Sequence, residues 1–352
     1  MRLRIDNIEV EAVEGETILD AAARAGKRIP TLCHMKGVAH YSSCMVCMVR
    51  DKKNGQFIPS CSALASEGMD IDASGDDVSI LRKKAVELLL SEHRAECEAP
   101  CRIVCPAGYN IPAMNRLLAA GKILEAIELS VSEHNTSEIR CLTCPGYCEN
   151  ACRRKKVDTP VSIRNLKIFV SKNITEENNK TEGSDNIVSN EVRKRFSSRI
   201  GRLDESELTE WLKEAVPGIA RYREIKDIGA ATSEAKSCMH CDCRAADNCR
   251  LRDLAQEFRI KDSGSKVVNS PIRKKVNRKS GLIFENAKCI KCGLCVRVCE
   301  DSVSEPALCF INRGFVSIIS EPLTEEFDTI LKTQTEKCIS ICPTGALEKL
   351  ND

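Results

Sequence analysis

The chain has 352 residues, with 53 Lys+Arg against 51 Asp+Glu and a formal net charge of +2. That near-neutral balance speaks against a nucleic-acid binder working through its whole surface, which carries a strong positive excess. Aliphatic stretches such as Leu88–Leu90, within Val86–Leu90, fall far short of the ~20 apolar residues that span a membrane, and Met1–Val10 alternates charges where a secretion signal has an apolar core. The expectation is a cytoplasmic chain with no membrane span and no nucleic-acid partner, folded as two or three domains at roughly 100–200 residues each. Cysteine stands apart: there are 22, against 4% aromatics and a single Trp.

Arg2–Ile5 and Ile8–Val13 read as the two strands of a hairpin. Thr17 then opens a helix, with Asp20 as capping-box partner and Gly26 as its stop. After Pro30 comes a cysteine-bearing loop, and Phe57–Ile58 leads as a strand into Cys61. The first cysteine group is Cys33, Cys44, Cys47 and Cys61, spaced C-x10-C-x2-C-x13-C. Strands, a helix, a ligand loop and a returning strand make a β-grasp arrangement. Four thiolates held mostly by one loop suit a 2Fe–2S cluster, whereas zinc prefers two short cysteine knuckles and only one is present.

This segment resembles the N-terminal ferredoxin domain of the large iron–sulfur subunit of respiratory complex I and of iron-only hydrogenases. The matching residues are Thr17 to Ala22, Ile29 to Cys33, Cys44-x2-Cys47 and Pro59-Ser60-Cys61 through Glu67-Gly68-Met69. The likeness continues through Arg82–His93.

Leu81–Glu92 is apolar at helical spacing and predicts an amphipathic helix that delivers His93 to the next ligand field. Seven cysteines follow within 56 residues: Cys97, Cys101, Cys105, Cys141, Cys144, Cys148 and Cys152. That density exceeds what buried packing thiols explain. Between them, Pro112–Gly121 and Ile123–Val131 read as a helical pair broken at Gly121.

The segment resembles the helical N-terminal domain of the glutamate synthase small subunit and of dihydropyrimidine dehydrogenase. The resemblance is carried by Cys101-x3-Cys105-Pro106, Asn110-Ile111-Pro112, Cys144-Pro145-x2-Cys148-Glu149-x2-Cys152 and Pro160 to Ile163. It implies two 4Fe–4S clusters, one on Cys105, Cys144 and Cys148 and the other on Cys97, Cys101 and Cys152. Two departures stand out. The first half has three cysteines where the family has four, and the family's carboxylate ligand falls on Lys167. Cys141 and His93 are the available substitutes, because in the complex I family a histidine three residues before a cysteine run ligates a cluster. The alternative for His93 is an ordinary surface histidine at a helix end.

Ser171–Arg199 is polar and reads as a linker, and Leu208–Val216 as a short helix with Asp204 as N-cap. The third group is Cys238, Cys241, Cys243 and Cys249, followed by the helical Leu251–Phe258. It resembles a cysteine patch in flavin-dependent relatives of the glutamate synthase small subunit. It reads as a self-contained four-thiolate site for a 4Fe–4S cluster or for zinc, with His240 a bystander. The basic stretch Lys261–Ser280 reads as a solvated linker or as a docking patch for an acidic electron carrier.

The fourth group, Cys289-x2-Cys292-x2-Cys295-x3-Cys299 with Cys338-x3-Cys342-Pro343, has the bacterial two-cluster ferredoxin pattern. Cys289, Cys292, Cys295 and Cys342 form one 4Fe–4S site in this reading. The second run lacks two cysteines, so Cys299 and Cys338 are expected close in space as a remnant, as thiols or a disulfide, and Cys309 as a packing residue on a strand over Ala307–Asn312.

The expected fold class is therefore α+β and multidomain: a 2Fe–2S β-grasp domain over 1–80, a helical two-cluster domain over 81–170, a linker and cysteine patch over 171–281, and a bacterial ferredoxin-like domain over 282–352. The expected cofactors are one 2Fe–2S and three to four 4Fe–4S clusters. No G-x-G-x-x-G and no P-loop occurs in the sequence, so a flavoprotein NAD(P)H-oxidising partner is expected to hold the nucleotide chemistry. A hydrogenase, a formate dehydrogenase or a ferredoxin is expected at the other end. The expected function is that of an electron-transfer subunit; the rivals are a self-contained flavin-dependent reductase and a zinc-binding interaction protein.

Overall fold

Along Arg2–Ile5 (β1), Leu3 and Ile5 are buried while Arg2 and Arg4 are exposed, the alternation of a half-buried strand. Asp6 and Asn7 both take positive φ, 51° and 67°, as a two-residue hairpin turn requires. They return the chain as Ile8–Glu11 (β2), with Leu3 opposite Val10 and Ile5 opposite Ile8. Met48–Asp51 (β3), Phe57–Pro59 (β4) and Asp70–Asp72 (β5) complete a sheet of order β2-β1-β5-β3-β4, with β1 and β5 parallel. The helix Ile18–Arg24 (α1) begins as predicted: Thr17 Oγ1 accepts from the Asp20 N–H at 3.1 Å and donates to its carboxylate at 2.7 Å. Its apolar face joins Leu3, Ile5, Val49 and Ile71 in one core.

The computed structural model describes residues 1–39, 41–93, 97–132, 138–174, 224–245, 248–260, 274–299 and 307–350. The expected helix Leu208–Val216, its cap Asp204, and most of the polar and basic stretches lie outside the described residues. Two compact units divide the chain, one of residues 1–95 and 247–352 and one of residues 96–246.

In the first unit the sheet is followed by Asp76–Glu92 (α2), which starts before the predicted Leu81. Its opening turn is acidic, Asp76 and Asp77, which suits a helix N-terminus but carries no apolar period. Lys274–Asn277 (β6) pairs antiparallel with Leu282–Glu285 (β7), and Cys309–Ile311 (β8) with Ile318–Ser320 (β9). Leu347–Lys349 (β10) then joins the free edge of β7, giving a second sheet of order β10-β7-β6. Leu282, Phe284, Leu308, Ile330 and Cys338 lie in the core under this region.

The second unit is helical among its described residues. Asn110 caps the helix Ile111–Ala119 by accepting from the Ala113 N–H at 3.3 Å, and Pro112 sits in its first turn. The helix stops at Gly121, φ 73°, and Lys122 N–H returns to the Leu117 carbonyl at 2.8 Å. Ile123–Ser132 follows, so the predicted break falls where the structure has it. With Ile163–Lys172 and Ile228–Ala235 these helices bury Ile111, Met114, Leu118, Leu166 and Ala231.

Candidate metal centres

In the first unit the chain leaves α1 through the buried Ile29 and Leu32 into the loop that carries Cys33, Cys44 and Cys47; Cys61 follows β4. All four thiols are buried, between 1% and 4% exposed. They fall into two hydrogen-bonded pairs, Cys33 with Cys44 and Cys47 with Cys61. The Cys33 hydrogen bond draws the Cys44 thiol down to about 6 against the opposing effect of burial. Ser42 and Met45 take left-handed φ of 53° and 56° to turn this loop. Beneath it, Arg82 on α2 is buried; its Nε donates to the Met48 carbonyl at 2.9 Å while its Nη2 makes no hydrogen bond, and its charge reaches Cys47. Two thiol pairs and a buried cation fit a group that needs two thiolates on each of two irons.

The C-terminal cysteines of the same unit surround a cavity. Cys289, Cys292, Cys295 and Cys342 line it, with Phe284 and Ile319 among its apolar walls. Lys291 N–H donates to Cys289 Sγ at 3.3 Å, from a residue with φ of 54°. Burial pushes Cys289 and Cys292 up to about 12, and raises Cys295 and Cys342 as well. Thiols held in so dry a place ionise when a metal compensates their charge. The residues therefore fit a four-thiolate cluster.

These two thiol sets adjoin. Gly293, φ 77°, faces Tyr41 of the first loop so closely that a Cβ there would lie 2.9 Å from two ring carbons. Phe310 meets Tyr41 edge-on at 5.9 Å between centroids, and the Arg297 guanidinium covers the other ring face at 3.9 Å. Cys44 is near enough for its charge to raise Cys292.

Helix α2 ends against the same region. Lys291 pairs with Glu92 at 3.1 Å, and His93 hydrogen-bonds the Lys288 backbone. His93 is 7% exposed, which removes the surface-histidine reading. Burial, with the Lys288 ammonium adding to it, pulls its imidazole down to about 4, and its Nδ1 makes no hydrogen bond. A neutral imidazole with a buried, unengaged nitrogen is the form that ligates metal. Cys249, the N-cap of Arg250–Glu257, turns its thiol toward the Pro343 carbonyl at 3.9 Å.

In the helical unit, Cys105 and Cys148 lie within electrostatic reach of each other, and burial raises Cys148 to about 12. Lys167 is buried with Nζ 3.8 Å from Cys105 Sγ and over the Tyr109 ring at 5.0 Å. The lysine that stands where the family has a carboxylate thus puts a cation against the thiols. Cys144 accepts from the Gly146 N–H at 3.4 Å, and Arg164 binds the Cys141 carbonyl at 3.1 Å.

The third cysteine group is distributed differently from the self-contained site expected of it. Cys238 and Cys241 line one cavity with Cys101 and Cys152. Cys243 N–H donates to the Cys97 carbonyl at 3.1 Å, and Cys249 belongs to the first unit. Asn115, 1% exposed, lines the cavity of the four thiols, and its amide hydrogen-bonds Cys238, which favours the thiolate there against the opposing effect of burial. Asn115 was not among the sequence candidates; its signal was a polar residue on the face of Ile111, Met114 and Leu118.

Cys299 and Cys338 come together as expected, with sulfurs 3.1 Å apart and both buried. Cys309 sits on β8 opposite Ser320 and is not among the residues that line the cavity. Among the described residues, no three Cys, His, Asp or Glu side chains converge as a single metal ion requires.

Comparison with known proteins agrees with this geometry over the first two cysteine groups. Residues 1–75 match the family model described as a 2Fe-2S iron-sulfur cluster binding domain. The first 75 residues are a 2Fe–2S domain. Residues 86–179 match dihydropyrimidine dehydrogenase domain II, 4Fe-4S cluster, so the chain is a multidomain iron–sulfur protein of mixed helix and sheet, as the resemblances implied. It is similar to the gamma chain of the NAD-reducing hydrogenase HoxS of Cupriavidus necator, 27% identical over 41% of this chain and 62% of that protein. It is similar to an NADH-quinone oxidoreductase subunit of Rickettsia felis, 30% identical over 35% of this chain and 17% of that one. A putative formate dehydrogenase of Bacillus subtilis, YrhE, is 27% identical over 46% of this chain and 17% of its own length. The chain thus spans less than two thirds of each of these relatives. A crystal structure of an NAD+-reducing [NiFe]-hydrogenase in the H2-reduced state shares the fold, with a TM-score of 0.51 at 16% identity over 99% of this chain and 86% of that one. No helix among the described residues is long and apolar enough to cross a membrane.

Proposed function

We propose that the chain is the iron–sulfur electron-relay subunit of a cytoplasmic NAD(P)-linked oxidoreductase complex. It passes single electrons between a flavoprotein partner and a second redox site, a hydrogenase, a formate dehydrogenase or a ferredoxin. The observation that carries this reading is the adjacency of two cysteine-bearing loops in one unit, with Tyr41 packed on Gly293 and Cys44 within electrostatic reach of Cys292. The printed names of its relatives, subunits of an NAD-reducing hydrogenase and of an NADH-quinone oxidoreductase, support it.

In this reading Cys33, Cys44, Cys47 and Cys61 hold a 2Fe–2S cluster on a β-grasp domain. Cys289, Cys292, Cys295 and Cys342 hold a 4Fe–4S cluster in a ferredoxin-like domain over 282–352. Cys105, Cys144 and Cys148 hold another, Cys101 and Cys152 help to hold a third, and Cys141 and the His93 Nδ1 are the available further ligands. When bound, such clusters supply one-electron transfer at potentials set by hydrogen bonds, burial and local charge. The residues of the chain set those terms. Arg82 beside Cys47 and Lys167 beside Cys105 place positive charge where added negative charge is favoured. Gly293 lets the Tyr41 loop close on the cavity wall, and the apolar walls keep water from the thiols.

The test is anaerobic purification of the chain with iron, sulfide, zinc and flavin analysis, followed by potentiometric EPR. The expected result is one 2Fe–2S signal, at least three 4Fe–4S signals and about 14 or more iron atoms per chain. A colourless protein holding zinc without acid-labile sulfide overturns the reading. Flavin at unit stoichiometry turns it into that of a self-contained reductase.

A further inference from the structure

The cysteine patch after residue 237 has no role of its own in the relay as described, and the helical unit shows where its first half goes. Cys238 and Cys241 share one cavity with Cys101 and Cys152, walled by Pro112, Val161 and Ile163. Burial dominates the upward shift of the Cys101 thiol, and the next causes are Cys238, Cys241 and Cys152, so the four groups lie within electrostatic reach of one another.

The loop that carries Cys238 and Cys241 is fastened to the unit at three points. Arg116 on the helix Ile111–Ala119 holds Asp242 through both carboxylate oxygens at 2.9 Å. Arg154 donates to the Ser237 carbonyl at 3.2 Å, and Glu234 accepts from the Ser162 N–H at 2.8 Å. The later segment thus delivers two thiols to the cavity of Cys101 and Cys152.

Asn115 is the independent observation. Its amide is buried in the wall of the same cavity and hydrogen-bonds Cys238, an interaction that favours the thiolate. An amide Nδ2 in that wall is a buried donor, and the sulfurs of a thiolate-bound cluster are acceptors for it.

We infer that Cys101, Cys152, Cys238 and Cys241 form one 4Fe–4S site, with Asn115 donating to its sulfurs. The inference rests on the relay reading and deepens it by drawing one cluster's ligands from two cysteine groups. It leaves Cys97 and Cys243 outside this site.

The test uses the full chain, purified anaerobically. The Cys238→Ser/Cys241→Ser double variant is expected to lose about four iron and four sulfide per chain and one 4Fe–4S EPR signal, while the 2Fe–2S signal stays and reports that the protein has folded. Asn115→Leu is expected to keep its iron and to shift the midpoint potential of that one signal downward. An unchanged iron count in the double variant overturns the inference, as does loss of one zinc in place of iron. An unmoved potential in Asn115→Leu overturns the role of Asn115. Wild-type protein without clusters, by contrast, overturns the relay reading itself, so the two failures are distinguishable.

Discussion

The 2Fe–2S loop and the split site of the helical unit solve the same problem at different levels of structure. Cys33, Cys44 and Cys47 come from one loop and Cys61 from the turn after β4, so the register of β3 with β4 sets Cys47 against Cys61. Cys101, Cys152, Cys238 and Cys241 come from three separate segments, and only Cys238 and Cys241 share a loop. Helix packing and a few ion pairs bring them together. A site of the first kind survives as long as its loop does. One of the second kind is only as stable as the packing around it.

Leu118→Ala is the strongest test of that contrast. Leu118 is fully buried in the core of the helical unit. Truncation is expected to destabilise that unit by about 2–5 kcal/mol. The melting profile should move and the 4Fe–4S signals of the helical unit should weaken, with the Cys33–Cys61 signal retained. Equal loss of both kinds of signal breaks the distinction.

Arg116→Ala comes next. Arg116 and Asp242 are 24% and 5% exposed at the side chain, so the pair is mostly desolvated. Its removal leaves a buried carboxylate, an effect of about 1–3 kcal/mol. The expected outcome is selective loss of the iron held by Cys101, Cys152, Cys238 and Cys241, read by iron analysis and EPR. Iron loss spread over all sites contradicts the comparison.

Gly293→Ala has the smallest expected effect on stability. Its φ of 77° and its approach to Tyr41 both oppose a side chain, at a cost of about 1–2 kcal/mol. The cluster complement should persist while electron exchange between the 2Fe–2S loop and the Cys289–Cys342 site slows, as seen in freeze-quench EPR. An unchanged rate means that the Tyr41 contact does not govern the spacing.

Much of this was legible in advance. The hairpin Arg2–Glu11, the Thr17 cap, the helical pair broken at Gly121 and the strand bearing Cys309 all follow from local rules, because each is decided by residues within a few positions of one another. The early start of α2 was missed because its opening turn is charged. His93 was ambiguous for a related reason. Three residues before a cysteine, a histidine has no local signal of burial, and its neutral state comes from burial and from Lys288, far along the chain.

The sequence by itself determined that this is an iron–sulfur chain and which local loops bear its thiols, since cysteine spacing fixes which sulfurs one turn of backbone can bring together. It also brought Cys299 and Cys338 together as two ends of a shortened pattern, and they meet at 3.1 Å. Only the tertiary structure decided that Cys238 and Cys241 turn to Cys101 and Cys152, that Asn115 faces the same cavity, and that Tyr41 closes on Gly293. Those are contacts between segments far apart in the chain. The burial of apolar helix faces and the pairing of Arg116 with Asp242 specify them, and spacing along the sequence carries no record of either.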